Sequence, residues 1–167
     1  MEQQNESQPV QSDVTSNLRS SMLACLNDLT YYNLACVLYY LYPENLALIS
    51  EKKDIWIHNI NTDNIWEVVD CSFVVRLIET TMFSEFEKLC QEYKALSTED
   101  NCPYDLTSKK IEELLINLPT YTIDIIHESK PFYKLQDPKV FFEQFMTQTN
   151  LSDVMNTILD LYINNDI

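Results

Sequence analysis

The chain has no glycine in its 167 residues, where average usage would supply about ten. Glycine is the residue that adopts left-handed backbone, and allows close backbone approach, without steric cost. Phosphate-cradling loops, the dinucleotide fingerprint and the nucleophile elbow all depend on it. Nucleotide hydrolysis and dinucleotide binding are therefore not expected. Turns have to use Asn, Asp, Ser and Pro instead, and any β-hairpin needs a loop longer than the tight glycine turns.

With 46% hydrophobic and 22% charged residues, the chain can bury a sizeable core as one domain. The net charge of -15, with basic residues adjacent only at Lys52-Lys53 and Lys109-Lys110, opposes direct nucleic-acid binding, because phosphate-backbone affinity comes from clustered Lys and Arg. The same acidity disfavours an anionic membrane surface. No apolar run approaches the roughly 20 residues of a spanning helix. The stretch from Met1 to Ser7 lacks the basic and apolar regions of a signal peptide. An intracellular, cytoplasmic protein is expected. Five cysteines (Cys25, Cys36, Cys71, Cys90 and Cys102) are irregularly spaced, with only His58 and His127 beside them. They read as reduced and mostly buried, with no metal site and no cofactor.

Residues 1–14 are polar and Gln/Ser-rich, which predicts a disordered tail before a single α-rich domain over 15–167. Leu18, Met22, Leu23, Leu26 and Leu29 recur at helical steps, and Thr30 is placed to cap a second, apolar helix from Tyr31 to Tyr42 that stops before Pro43. The period then changes. Leu46 to Ser50, Asp54 to Ile60 and Asn64 to Val69 are short runs enriched in Ile, Val and Trp, which predicts a three-stranded antiparallel meander near residues 45–69. Helix resumes near Ser72, itself a candidate cap, with Phe73, Val74, Leu77, Ile78, Met82, Phe86, Leu89, Cys90 and Tyr93 on one stripe. A linker covers Leu96 to Pro103. A further helix is expected over Ser108 to Leu118, ended by Pro119. Tyr121 to Ser129 suits a helix better than a strand, Pro131 and Pro138 bracket a turn, and Val140 to Met146 and Ser152 to Ile163 read as closing helices. The expected fold class is mainly α (α+β).

Candidate functional residues are few. Trp56 and Trp66 could stack on a base or grip a partner; burial trends favour packing, so they read as a structural signature. His58 has no nucleophile or carboxylate assigned to it by any motif, and His127-Glu128 lacks further ligands. Tyr31, Tyr32, Tyr39, Tyr40 and Tyr42 form a dense cluster that suits core packing with hydroxyls at the rim, and Tyr39, Tyr40 and Tyr42 are the candidate interface residues. No catalytic motif is evident, and no catalytic residue is assigned.

The order of these motifs resembles a known family. A helix ending in Tyr40-Leu-Tyr42, a strand, Asp54-Ile-Trp-Ile-His58, a loop, Ile65-Trp-Glu-Val68 and a long amphipathic helix is similar to the domain preceding the superfamily 3 helicase core in poxvirus-type primase-helicases and related viral and phage enzymes. The closing run from Asn150 to Tyr162 is similar to that family's last helices before the ATPase. The glycine often found beside the family's first Trp is absent here. The resemblance implies a collar or linker role in DNA replication: assembling subunits and coupling a priming module to the motor, through self-association or a neighbouring helicase or primase module. It implies no catalytic residue in this domain. A helical protein-interaction module, such as a viral or effector decoy of the apoptosis-regulator type, is the alternative. Paired strands over 45–69 would favour the first reading, continuous helix the second.

Overall fold

Apolar residues at three- and four-residue steps organise the chain into helices on either side of a small sheet. The computed structural model describes residues 11–60, 66–135, 156–157, 160–161 and 163–164. Helix α1 (Gln11–Asn27) and helix α2 (Tyr31–Leu41) are followed by strands β1 (Leu46–Ser50), β2 (Ile55–His58) and β3 (Glu67–Asp70). Helix α3 (Cys71–Leu77) continues through a π-helical turn (Ile78–Met82) into α4 (Phe83–Leu96), and α5 (Pro103–Tyr133) closes the described fold. The architecture is mainly α with a three-stranded antiparallel sheet of order β1-β2-β3. Most of the expected closing helices lie outside the described residues. No described helix is long and apolar enough to cross a membrane.

Helix α1 starts at Gln11, four residues before the expected onset of order at Thr15; the rest of the expected tail lies outside the described residues. Thr30 caps α2 as anticipated, its Oγ1 accepting from the Asn33 backbone N–H at 3.0 Å. The cap of α3 is Asp70 rather than Ser72. The Asp70 carboxylate accepts the Ser72 backbone N–H at 3.0 Å, because the charged oxygen is the stronger acceptor at a helix N-terminus. The Ser72 hydroxyl, donating to the same carboxylate, and the backbone N–H groups of Phe73 and Ser72 hold the Asp70 carboxyl below its usual range.

The π turn has a reason in the sequence. Val74, Ile78, Met82, Phe86 and Cys90 follow each other at four-residue steps, and each is almost wholly buried. On a regular α-helix each such step drifts by about 40°. A wider turn at Ile78–Met82 takes up the drift and keeps all five on the core side. The Thr80 hydroxyl donates back to the Arg76 carbonyl at 2.6 Å within this turn.

Helix α5 departs furthest from expectation. It runs 31 residues through both Pro119 and Pro131, where the sequence predicts a helix end and a turn. An internal proline removes one ladder bond and costs about 3 kcal/mol. Beyond Pro119 the helix buries Ile125, Ile126 and Tyr133, and each large apolar side chain contributes about 2 kcal/mol. Packing of α5 on α2 and α4 therefore offsets the bonds lost at the two prolines.

In the sheet, Leu48 faces Trp56 and Trp56 faces Val69. All five β1 residues are buried although β1 is an edge strand. The chain leaving α5 covers that edge: Lys134 bridges in parallel to Leu48, and the Leu135 N–H donates to the Leu48 carbonyl at 3.4 Å. The β1–β2 turn places Asp54 at φ 54°, and Asn101 before α5 sits at φ 64°. In a chain without glycine, left-handed positions fall to the two residue types that tolerate them best.

Candidate interaction surface

The two tryptophans have different surroundings. Trp56 is wholly buried at the centre of the sheet, its ring 5.6 Å from that of Tyr133 in an edge-on contact. Its indole N–H has no hydrogen-bond partner among the described residues, so it packs and presents nothing. Trp66, just before β3, is half-buried.

His58 lies opposite Glu67, with Nε2 3.9 Å from the Glu67 carboxylate and its ring stacked on Phe73 at 4.1 Å. Burial lowers its pKa from the ordinary value, and Glu67 opposes that effect. A buried histidine between a carboxylate and a phenyl ring ties β2 to β3 and α3. Among the described residues no group of His, Cys, Asp and Glu could hold a metal ion.

The cysteines are free, but only Cys25 and Cys90 are buried, which corrects the expectation that most would be. Burial pushes the Cys25 thiol up to about 12. Cys102 behaves oppositely. The Ser97 hydroxyl, 3.4 Å from Sγ, with backbone groups of Asp105 in the first turn of α5 and of Glu99 and Thr98 in the loop before it, brings its pKa down to about 7. Its position immediately before Pro103, where the fold starts a helix, is the sequence signal for that shift.

Of the candidate interface tyrosines, Tyr42 belongs to the core. It is 8% exposed, and its backbone carbonyl accepts the Tyr133 hydroxyl at 3.0 Å. Tyr39 and Tyr40 stay half-open on the outer face of α2. Tyr32, Cys36, Tyr39 and Tyr40 recur at helical steps and, with Phe132 of α5, line a shallow hollow of about 360 Å³. Phe132 sits between Tyr32 and Tyr39, with ring centroids 5.8 and 5.7 Å away. At the start of α2, Tyr31 meets Tyr121 edge-on at 5.7 Å. Tyr31 and Tyr32 are 41% and 54% exposed. The result is an aromatic face spanning the α2–α5 seam, built from rings with specific edge contacts.

The sequence reading missed the α5 half of this face, because it ended the helix at Pro119. Once α5 is continuous, Tyr121, Asp124, Glu128 and Phe132 fall at three- and four-residue steps on one stripe. That spacing was visible across the prolines. The described residues of this surface offer open aromatic rings and hydroxyls. Searches against protein-family models, curated proteins and solved structures found no match for this chain.

Proposed function

We propose that this chain is a non-catalytic protein-assembly domain that engages its partner through the aromatic face of α2 and α5. On this reading it is the accessory, collar or linker domain of a viral or mobile-element DNA replication helicase-primase, or a stand-alone relative of one, working in the cytoplasm. The observation that carries the assembly role is the open ring set around Tyr32, Tyr40 and Phe132, since exposed Tyr and Phe clusters are characteristic of contact surfaces. The replication context is supported by the order helix, strand, Trp strand, Trp, strand, helix. The paired strands over Leu46–Asp70 weigh against the helical decoy alternative, which expects helix there. The scattered basic residues argue for a protein partner rather than nucleic acid.

A photo-crosslinking amino acid in place of Tyr40 should capture a discrete protein in the cells that make this chain, whereas the same group in place of the exposed Glu87 on α4 should not. Equal yields at both positions, or none at Tyr40, would overturn the assembly role. Sedimentation with single-stranded DNA at low salt should show no complex; tight binding would overturn the partner assignment.

A further inference from the structure

The α2–α5 face has a charge pattern as well as rings. There is no Lys or Arg between Arg19 and Lys52, nor between Lys110 and Lys130, so α2 carries no Lys or Arg and α5 carries none from Ile111 to Ser129. The nearest one, Lys130, is held 2.9 Å from the Asp54 carboxylate, an ion pair by distance rather than an aligned hydrogen bond. Lys134 is likewise drawn to Glu51 at 3.3 Å. Asp124 and Glu128 are exposed, have no ion-pair partner among the described residues, and lie on the α5 stripe between the rings of Tyr121 and Phe132. Two uncompensated carboxylates framed by aromatic faces form a cation-accepting arrangement: the carboxylates supply charge, and the rings supply cation–π contact and apolar cover.

A second copy of the chain is a poor occupant. Pairing this face with itself would bring Asp124 and Glu128 of two chains together, each chain carrying a net charge of -15. Tyr121 and Phe132 are 11 residues apart on α5, which is about 16 Å along a helix, the length of about three helical turns in an incoming segment.

We infer that the α2–α5 face receives a cationic, amphipathic segment of a partner protein, its Arg or Lys side chains over Asp124 and Glu128 and its apolar side chains in the Tyr32–Tyr40–Phe132 hollow. This rests on the assembly role proposed above and specifies the partner's chemistry. It makes the interaction heterologous, with on-rates that fall as salt rises.

The test uses a fluorescent 14-residue Leu/Arg peptide of helical periodicity and two versions with Arg replaced by Gln or by Glu, titrated against the whole chain by anisotropy at low salt. The Arg peptide should bind saturably, the Gln peptide at least tenfold more weakly, and the Glu peptide not at all. Asp124→Asn with Glu128→Gln should weaken the Arg peptide at least fivefold, as should Tyr32→Ser with Tyr40→Ser. Glu79→Gln with Glu87→Gln removes the same charge from the π turn and α4 and should change affinity less than twofold. Equal binding of the Arg and Gln peptides would overturn the inference. So would an equal loss in the Glu79/Glu87 variant, which would mean diffuse attraction to an acidic chain, or no binding by the Arg peptide. Each of those outcomes leaves crosslinking at Tyr40 free to succeed, so failure of the charge assignment and failure of the assembly role are told apart.

Discussion

The meander and α2 are both rich in aromatic residues, yet the fold uses them in opposite ways. Trp56 in β2 is closed off entirely, while Tyr32 on α2 is exposed and Tyr39 and Tyr40 stay partly open. The difference lies in what covers each segment. Trp56 stands on the sheet face that packs into the helical core, with the Tyr133 ring of α5 against its own, so it has no route to water. Helix α2 packs against both α1 and α5 and buries Leu34, Val37 and Leu38, while its Tyr32 and Tyr40 stripe projects past those contacts. Tyr133 joins the two regions: its ring touches both Trp56 and Tyr39, at 5.6 and 5.7 Å, and its hydroxyl donates to the Leu38 and Tyr42 carbonyls. Burial accordingly pushes the Tyr133 phenol far above its ordinary pKa.

Truncating the closed side should do the most damage. Trp56→Ala leaves a cavity at the centre of the sheet and should lower unfolding free energy by about 4 kcal/mol in a urea titration. A loss below about 1 kcal/mol would mean that the sheet is not the pinned half of the molecule. Tyr133→Phe tests the joint. Deleting its buried hydroxyl takes a donor from two carbonyls and should cost about 1.5 kcal/mol, and an unchanged urea midpoint would mean that the joint holds by ring packing alone. On the open side, Tyr32→Ser with Tyr40→Ser should cost about 1 kcal/mol or less, since the rings lose edge contacts but little burial. A loss approaching that of Trp56→Ala would make the face part of the core and remove its claim to be a docking surface.

The smallest effect is a pH dependence confined to the sheet. His58 has a lowered pKa in the folded chain, so the unfolded state takes up its proton first on acidification. Its contribution is fully present above the unfolded value of about 6.5 and is lost as pH falls from there through the lower folded value. Urea midpoints measured from pH 7.5 downward should therefore fall more steeply for the natural chain than for His58→Gln. Parallel curves would show that the Glu67 attraction cancels the burial.

Much of this contrast was legible in the sequence. The β1 limits match the predicted run, Thr30 acts as the predicted cap, and the glycine-free turns use Asp54 and Asn101 as expected. The candidate surface was half legible: Tyr39 and Tyr40 were singled out and Tyr121 to Ser129 was expected to be helical, but the break placed at Pro119 and the turn placed at Pro131 kept Tyr121, Asp124, Glu128 and Phe132 from being read as one stripe. Tyr42 was misassigned because helical spacing alone does not say which side of α2 another helix will cover.

By itself the sequence determined the helix and strand periods, the Thr30 cap and the use of Asp and Asn where a left-handed turn is needed, because each depends on residues within a few positions of one another. Only the tertiary structure decided which rings close and which stay open. It also decided that α5 passes through Pro119, and that two α5 carboxylates stand between the aromatic rings facing α2. Those outcomes turn on partners such as Leu38 and Tyr133, 95 residues apart in the chain, whose packing energy exceeds the local preferences that pattern reading can see.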